Sequence, residues 1–329
     1  MLFDTKKIST VKILVAGDVM LDRYLIGAVK KISPEAPVPI LECIKSIEMP
    51  GGAGNVAMNV NGMNCTSTLI GLRGDDEQGK KLEKLLDHNS INHKLIIDSA
   101  RKTITKMRVI AQGQQLMRID EELLIPLSEE AENEILHIFK KEALGQGAVI
   151  LSDYAKGLFL KRKIVQAFIS FCNNQDIPVL VDPKGKDWSC YEGAFCITPN
   201  AIELELVAGK NIGDEQERLI TEAQKIREKY NINWILVTRG SKGMCLIGSG
   251  SNVHHIPSKA KEVYDVSGAG DTVIAVLATT VAMGIRLIDA VSIANIAAGI
   301  VVGKLGTSPI RYSELQKAIN IQNFESKIE

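Results

Sequence analysis

The chain has 329 residues with 39 basic and 39 acidic side chains, so it offers no net field for nucleic acid or an anionic membrane, and a small-molecule partner is expected. Hydrophobic residues make up 45%, enough for one large α/β core, read as a single domain over 1–329. Six cysteines contain no C-x-x-C pair and five histidines no H-x-x-x-H, so neither zinc nor a disulfide framework is signalled, and a cytoplasmic setting is expected.

In chain order, residues 11–17 are an apolar run too short for a secretory segment and closed by Asp18, which reads as a first strand. Asp18 and Asp22 then stand at its C-terminal end, where carboxylates accept hydrogen bonds from sugar hydroxyls or, alternatively, form turns and caps. Residues 23–48, with Pro34, Pro37 and Pro39, and residues 103–119, alternating around a turn at 111–114, fall outside the wound pattern. They read as the strands of a small β-sheet lid, with a pair of surface hairpins as the alternative. Gly51, Gly52, Ala53, Gly54 and Asn55 open a helix over 54–63. This cluster mimics a dinucleotide fingerprint, with Asp75 and Asp76 at ribose spacing. That fingerprint should follow the first central strand directly, and the strand has already ended at Gly17.

Residues 67–72, 148–152, 178–181, 195–198 and 234–238 read as strands, and 75–88, 161–174 and 214–229 as helices. Near-continuous Val/Ile/Leu strands separated by helices imply a mostly parallel sheet covered on both faces. Residues 244–247 and 252–256 read as an antiparallel hairpin. The most apolar stretch, 272–285, is shorter than the roughly 20 residues of a membrane span and reads as a buried helix, followed by another from about Leu287.

Three further groups carry chemistry. Asn200 and Glu203 lie three apart at a helix start, suited to hydrated magnesium beside a nucleotide or, equally, to a capping box. Thr238 to Gly243, containing Gly240, borders nucleotide phosphates or is simply a tight hairpin loop. Val266, Ser267, Gly268, Ala269, Gly270, Asp271 and Thr272 join a glycine turn to an apolar helix, whose first N–H groups favour an anion. A carboxylate there repels phosphate, so Asp271 reads as a general base for an attacking hydroxyl, with an N-terminal cap as the alternative. No G-x-x-x-x-G-K-[ST] is present, so ATP would be held without a Walker A loop.

Taken in order, these groups resemble the ribokinase (phosphofructokinase-B type) family of sugar kinases over nearly the whole chain. The likeness is carried by Gly51, Gly52 and Asn55, by Asn200 and Glu203, by Thr238 and Gly240, and by the run from Asp265 to Asp271. It implies a three-layer sandwich with a β lid, ATP and Mg2+ as cosubstrate and metal, and Asp271 as base. It further implies that Gly268, Ala269, Gly270 and Asp271 form an anion hole, that Asn200 and Glu203 serve magnesium through water, and that Asn295 lies near the adenine, with Gly243 in the same loop as Gly240. A monovalent cation such as K+ would fall beside Asp265, Ser267 and residues 302–306, although Val266 replaces the family's usual threonine. Lids of related kinases pair, which implies a homodimer.

Residues 31–40 and 152–157 are similar to signatures of the heptose 7-phosphate kinases within that family. This implies phosphorylation of C1 of D-glycero-β-D-manno-heptose 7-phosphate for lipopolysaccharide core synthesis. Many such relatives carry a fused nucleotidyltransferase with H-x-G-H, and no such domain is expected within these residues. Asp18, Asp22, Asn55 and Asp153 are candidates for the sugar hydroxyls; Arg108, Arg118, Lys156 and Lys184 are candidates for its phosphate. Another kinase of the family, or a catalytically silent sugar-phosphate sensor, are the alternatives.

Overall fold

Ile13 and Val15 point to one face of the first strand and Leu14 and Ala16 to the other, and all four are buried. A strand apolar on both sides must be covered on both sides. The computed structural model, which describes residues 5–213, 215–259, 264–304 and 306–325, meets that requirement with two separate apolar cores.

In chain order the elements are α1 (Thr5–Ile8), β1 (Lys12–Gly17), β2 (Val19–Ile32), β3 (Pro39–Gly52), α2 (Ala53–Gly62), β4 (Thr66–Arg73), α3 (Glu77–His88), β5 (Asn92–Ile97), β6 (Thr105–Ala111) and β7 (Gln114–Glu121). They continue with α4 (Glu129–Ala143), β8 (Ala148–Ser152), α5 (Arg162–Asn173), β9 (Val179–Asp182), β10 (Cys196–Ile197), α6 (Ala201–Ala208), α7 (Gln216–Lys229) and β11 (Trp234–Thr238). The last are β12 (Met244–Ile247), β13 (Val253–Ile256), α8 (Ala269–Ala282), α9 (Leu287–Val301) and α10 (Tyr312–Glu325).

Nine strands form the main sheet in the order β13-β12-β11-β10-β9-β8-β1-β4-β5. All neighbours pair in parallel except β11–β12 and β12–β13. Val56, Leu82, Val276, Ile293 and Leu315 cover one face. Ile135, Phe168, Leu204 and Leu219 cover the other. The strand order reverses beside β1, between β8 and β4, and ligands of such sheets settle outside the C-terminal strand ends at that place.

The lid is one four-stranded sheet, β3-β2-β6-β7, rather than a pair of separate hairpins. Its strands begin and end deeper in the molecule than expected, because β2 starts one residue after β1 and β3 runs straight into α2. Ile104, within the expected lid segment 103–119, is buried just before β6. The expected start of α7 at Asp214, and Leu305 of the 302–306 loop, lie outside the described residues. Among the described residues no helix is long and apolar enough to cross a membrane.

Candidate active site

The site grows from the ends of β1, β8 and β9. Asp18 N–H bonds Ser152 O at 3.2 Å and Asp153 N–H bonds Asp182 O at 3.1 Å, so three strand ends present Asp18, Asp153 and Asp182 together. Asp271 arrives from the first turn of α8 and is 4% exposed. Its Oδ2 accepts from Asn55 Nδ2 at 2.7 Å, and its Oδ1 accepts from the Tyr154 hydroxyl at 2.8 Å. Burial pushes the Asp271 carboxyl up to about 6, against these two donors and the charge of Lys106, while Asp22 adds to the rise. A carboxyl tuned that close to neutrality is suited to taking and releasing a proton.

The expected residues fall into three groups. Around the nucleotide side, Thr238, Gly240, Gly243, Gly270 and Asn295 line one cavity of about 290 Å³, with Met244, Val273 and Val302. That is near the lower end of ligand-pocket sizes, roughly 300–1,000 Å³. A Cβ added at Gly270 would enter open space there, whereas one at Gly268, with φ 77°, would meet Asn55 Nδ2. The cavity is therefore a cradle into which the Gly270 backbone faces unobstructed, which fits a nucleotide triphosphate. The anion hole is narrower than expected. Ala269 N–H is spent on Val266 O at 3.2 Å because the turn folds back on itself, and among the described residues the Gly270 and Asp271 N–H groups have no protein acceptor.

Between base and nucleotide side runs a chain of charges. Asp182, half-buried, is held well above the ordinary carboxylate range by burial and by the charges of Asp271 and Glu203, with Lys184 opposing. Lys184 bonds Glu203 at 2.7 Å, so the structure places it here and not with the sugar-end cations. Asn200 and Glu203 form a reciprocal capping box at the start of α6, at 2.9 and 3.0 Å. No set of three metal-ligating side chains stands together among the described residues. Asp265 accepts N–H bonds from Ser267 at 2.8 Å and Gly306 at 3.0 Å, while Val302 O accepts from both Tyr264 and Asp265.

At the sugar end several candidates are engaged by the protein itself. Asp153 accepts from the Tyr191 hydroxyl at 2.5 Å, from Arg162 and from Ala155 N–H. Asp18 accepts three backbone N–H groups, from Tyr154 at 3.0 Å and from Lys156 and Leu158 at 2.8 Å. Burial pushes the Asp18 carboxyl up to about 6 in spite of those donors. Asp22 bonds Arg108 at 2.6 Å. Gly51 has to be glycine because a Cβ would run into the Asp22 carboxylate, and Gly52, at φ 56°, caps α2. Lys156 pairs with Glu122 at 2.5 Å and Arg118 with Asp120 at 2.8 Å.

Three residues escaped the sequence reading. Tyr154 lies inside the 152–157 signature with no role assigned, Asp182 is the last residue of β9, and Lys106 stands two residues before Arg108 on the same strand. Strand register puts Asp22, Lys106 and Asp120 side by side, and Tyr24, Arg108 and Arg118 in the next row. Lys106 Nζ lies 5.7 Å from the Tyr154 ring centroid, so this face looks into the site. Burial holds the Lys106 ammonium below the usual lysine value, against Asp22 and Asp120. Period-2 spacing from Arg108 was the available signal. Asp76, by contrast, accepts from Gly79 N–H and Thr103 at 2.7 Å, a helix cap with no ribose role.

The model of the pfkB family carbohydrate kinases matches residues 11–312. The chain belongs to that family. It is 45% identical over 315 residues to the bifunctional protein HldE of Haemophilus ducreyi, covering 95% of this chain and 65% of that protein. With HldE of Hyphomonas neptunium it shares 41% over 311 residues, 94% and 64% of the two lengths. The chain therefore spans somewhat less than two thirds of these relatives. Phosphofructokinase-2 from Escherichia coli in complex with potassium superposes with a TM-score of 0.79 at 20% identity, covering 94% of this chain and 97% of that one. Ribokinase from Arabidopsis thaliana, complexed with ribose and ATP, gives 0.73 at 20% identity, with 94% and 98% covered. These two likenesses establish the ribokinase-like fold.

Proposed function

We propose that this kinase transfers the γ-phosphoryl group of ATP to the C1 hydroxyl of D-glycero-β-D-manno-heptose 7-phosphate, giving the 1,7-bisphosphate. The observation that carries this reading is the position of Asp271, buried between a nucleotide-sized cavity and a lid face bearing Lys106, Arg108 and Arg118. The identity with relatives named HldE, and the sequences at 31–40 and 152–157, support the heptose as acceptor.

Asp271 Oδ1 takes the proton of the C1 hydroxyl. The freed oxygen pair bonds the γ-phosphorus as the bond to the bridging oxygen of ADP breaks. Charge gathering on the transferred group faces the Gly270 and Asp271 N–H groups. Asn200 and Glu203 would hold hydrated magnesium, which would neutralise phosphate charge. Lys106, Arg118 and Lys156 receive the 7-phosphate, each exchanging carboxylate attraction for phosphate contact. The potassium complex of phosphofructokinase-2 from Escherichia coli supports K+ as the occupant beside Asp265.

Phosphorus NMR of the product formed from ATP and heptose 7-phosphate tests the reading. A new resonance coupled to the anomeric proton is expected. No turnover of this acceptor, with turnover of ribose or fructose 6-phosphate, overturns it in favour of another sugar kinase.

A further inference from the structure

Both oxygens of Asp271 have protein donors, and the two donors differ in kind. Asn55 belongs to α2 and is held in place by the core, since its neighbour Asn59 takes the Thr272 hydroxyl at 2.9 Å and Ile310 N–H at 3.0 Å. Tyr154 belongs to the loop after β8, and that loop is hung on Asp18. Three of its alternate N–H groups, at Tyr154, Lys156 and Leu158, converge on one buried carboxylate from the other side of the strand junction. Ala155, between two of them, has φ 54°, a left-handed conformation that a non-glycine residue holds only where its surroundings enforce it.

We propose that Tyr154 is a positioning residue for the catalytic carboxylate: its hydroxyl fixes Asp271 Oδ1, and the Asp18 carboxylate fixes Tyr154, so that base and loop are set as one unit. A carboxylate oxygen has two lone pairs, so Oδ1 donated to by Tyr154 still has one for the acceptor hydroxyl, now pointed in a defined direction. The Tyr154 hydroxyl is itself held far above the ordinary tyrosine value by burial and the Asp271 charge, so it stays a donor throughout the working range.

The groups facing Asp271 are Asn55 from α2, Asp22 from β2, Lys106 from β6, Asp182 from the end of β9 and Tyr154 itself. Tyr154 and Asn55 favour the charged carboxylate, as does Lys106; Asp22 and Asp182 oppose it. Removing one donor to the charged form leaves burial less opposed, so the Asp271 midpoint must rise.

The inference rests on Asp271 being the base, and its test reads the ligand-free protein so that the choice of sugar does not enter. Carbon-13 NMR of labelled aspartate carboxyls follows the Asp271 titration in wild type and in Tyr154→Phe, which keeps the ring and the packing. An upward shift of about one pH unit is expected for loss of one donor to a charged group. The acid limb of kcat should move with it, while KM for ATP stays within about twofold. Asp18→Asn touches nothing on Asp271, but it removes acceptors from the loop and should shift the same midpoint upward. An unmoved Asp271 titration in Tyr154→Phe overturns the positioning role. An unmoved one in Asp18→Asn, with the Tyr154 variant shifted, overturns the linkage through the loop. Absence of heptose phosphorylation by wild type would instead count against the acceptor assignment, because the carboxyl titration needs no substrate.

Discussion

Asp271 is a costly residue for this fold to keep. Its folded value, about 6, lies above the ordinary 3.8, so the folded state holds the proton longer than the unfolded one. Its stabilising contribution is complete below about pH 3.8 and is lost as pH climbs through about 6. A displacement of some two units corresponds to about 3 kcal/mol at most. Asp271→Asn should therefore gain stability over wild type as pH rises from 4.5 to 8, while kcat falls by about two to four orders of magnitude. Urea unfolding at both pH values decides the first half; a stability difference independent of pH would remove the buried charge as its cause. This residue was legible in the sequence because its neighbours on the chain are its neighbours in space. Tyr154, Lys106 and Asp182 are not, because they come from after β8, from β6 of the lid and from the end of β9, and only the packing of the lid against the main sheet brings them to Asp271.

The lid strands are two-faced elements. Register aligns Leu25 with Val109 and Met117, and Met107 with Ile119, on the face opposite Asp22, Lys106 and Arg118. One side of the sheet is thus mostly apolar along β6 and β7, with the Arg23–Glu48 ion pair at its β2–β3 end, and the other is charged. Lys106→Gln, which keeps length but removes charge, should raise KM for a sugar phosphate by about ten- to a hundredfold, the worth of one charge-assisted hydrogen bond. KM for ATP should move far less. Steady-state kinetics with both substrates varied would expose an error, since equal effects on the two constants would take Lys106 away from the phosphate. Alternation made these strands readable, as apolar periodicity did for β1, β8 and α8. Elements without such a pattern were passed over. β5 is a half-exposed edge strand, α4 opens on Glu129, Glu130 and Glu132, and α10 spaces its buried Tyr312, Leu315 and Ile319 among polar residues at the end of the chain described.

For the molecule as a whole, an apolar sheet face has to meet something. Met117 is 54% exposed and Ile119 44%, too much apolar surface to leave in water along a continuous strand row. We propose that a second copy of this chain, presenting the same face, covers both by two-fold symmetry. Met117→Lys with Ile119→Lys should give a monomer at micromolar concentration with its melting temperature little changed, because both side chains lie about half exposed on the edge strand β7. Light scattering reads the outcome, and a wild-type monomer, or a variant that still dimerises, rules out this assembly.

A single residue, Asp18, separates β1 from β2, and β3 passes through Gly52 directly into the helix that bears Asn55. β2 and β3 are each 14 residues long, about 46 Å if fully extended. The two strands are thus long levers with their fulcrum in the catalytic chemistry. A rotation of a few degrees at the fulcrum, too small to see there, becomes a displacement of several ångströms near the tip. Cys43, the one exposed thiol of the six, rides on β3 opposite Gly27. The molecule carries on its own outer arm a handle from which events at its centre can be read.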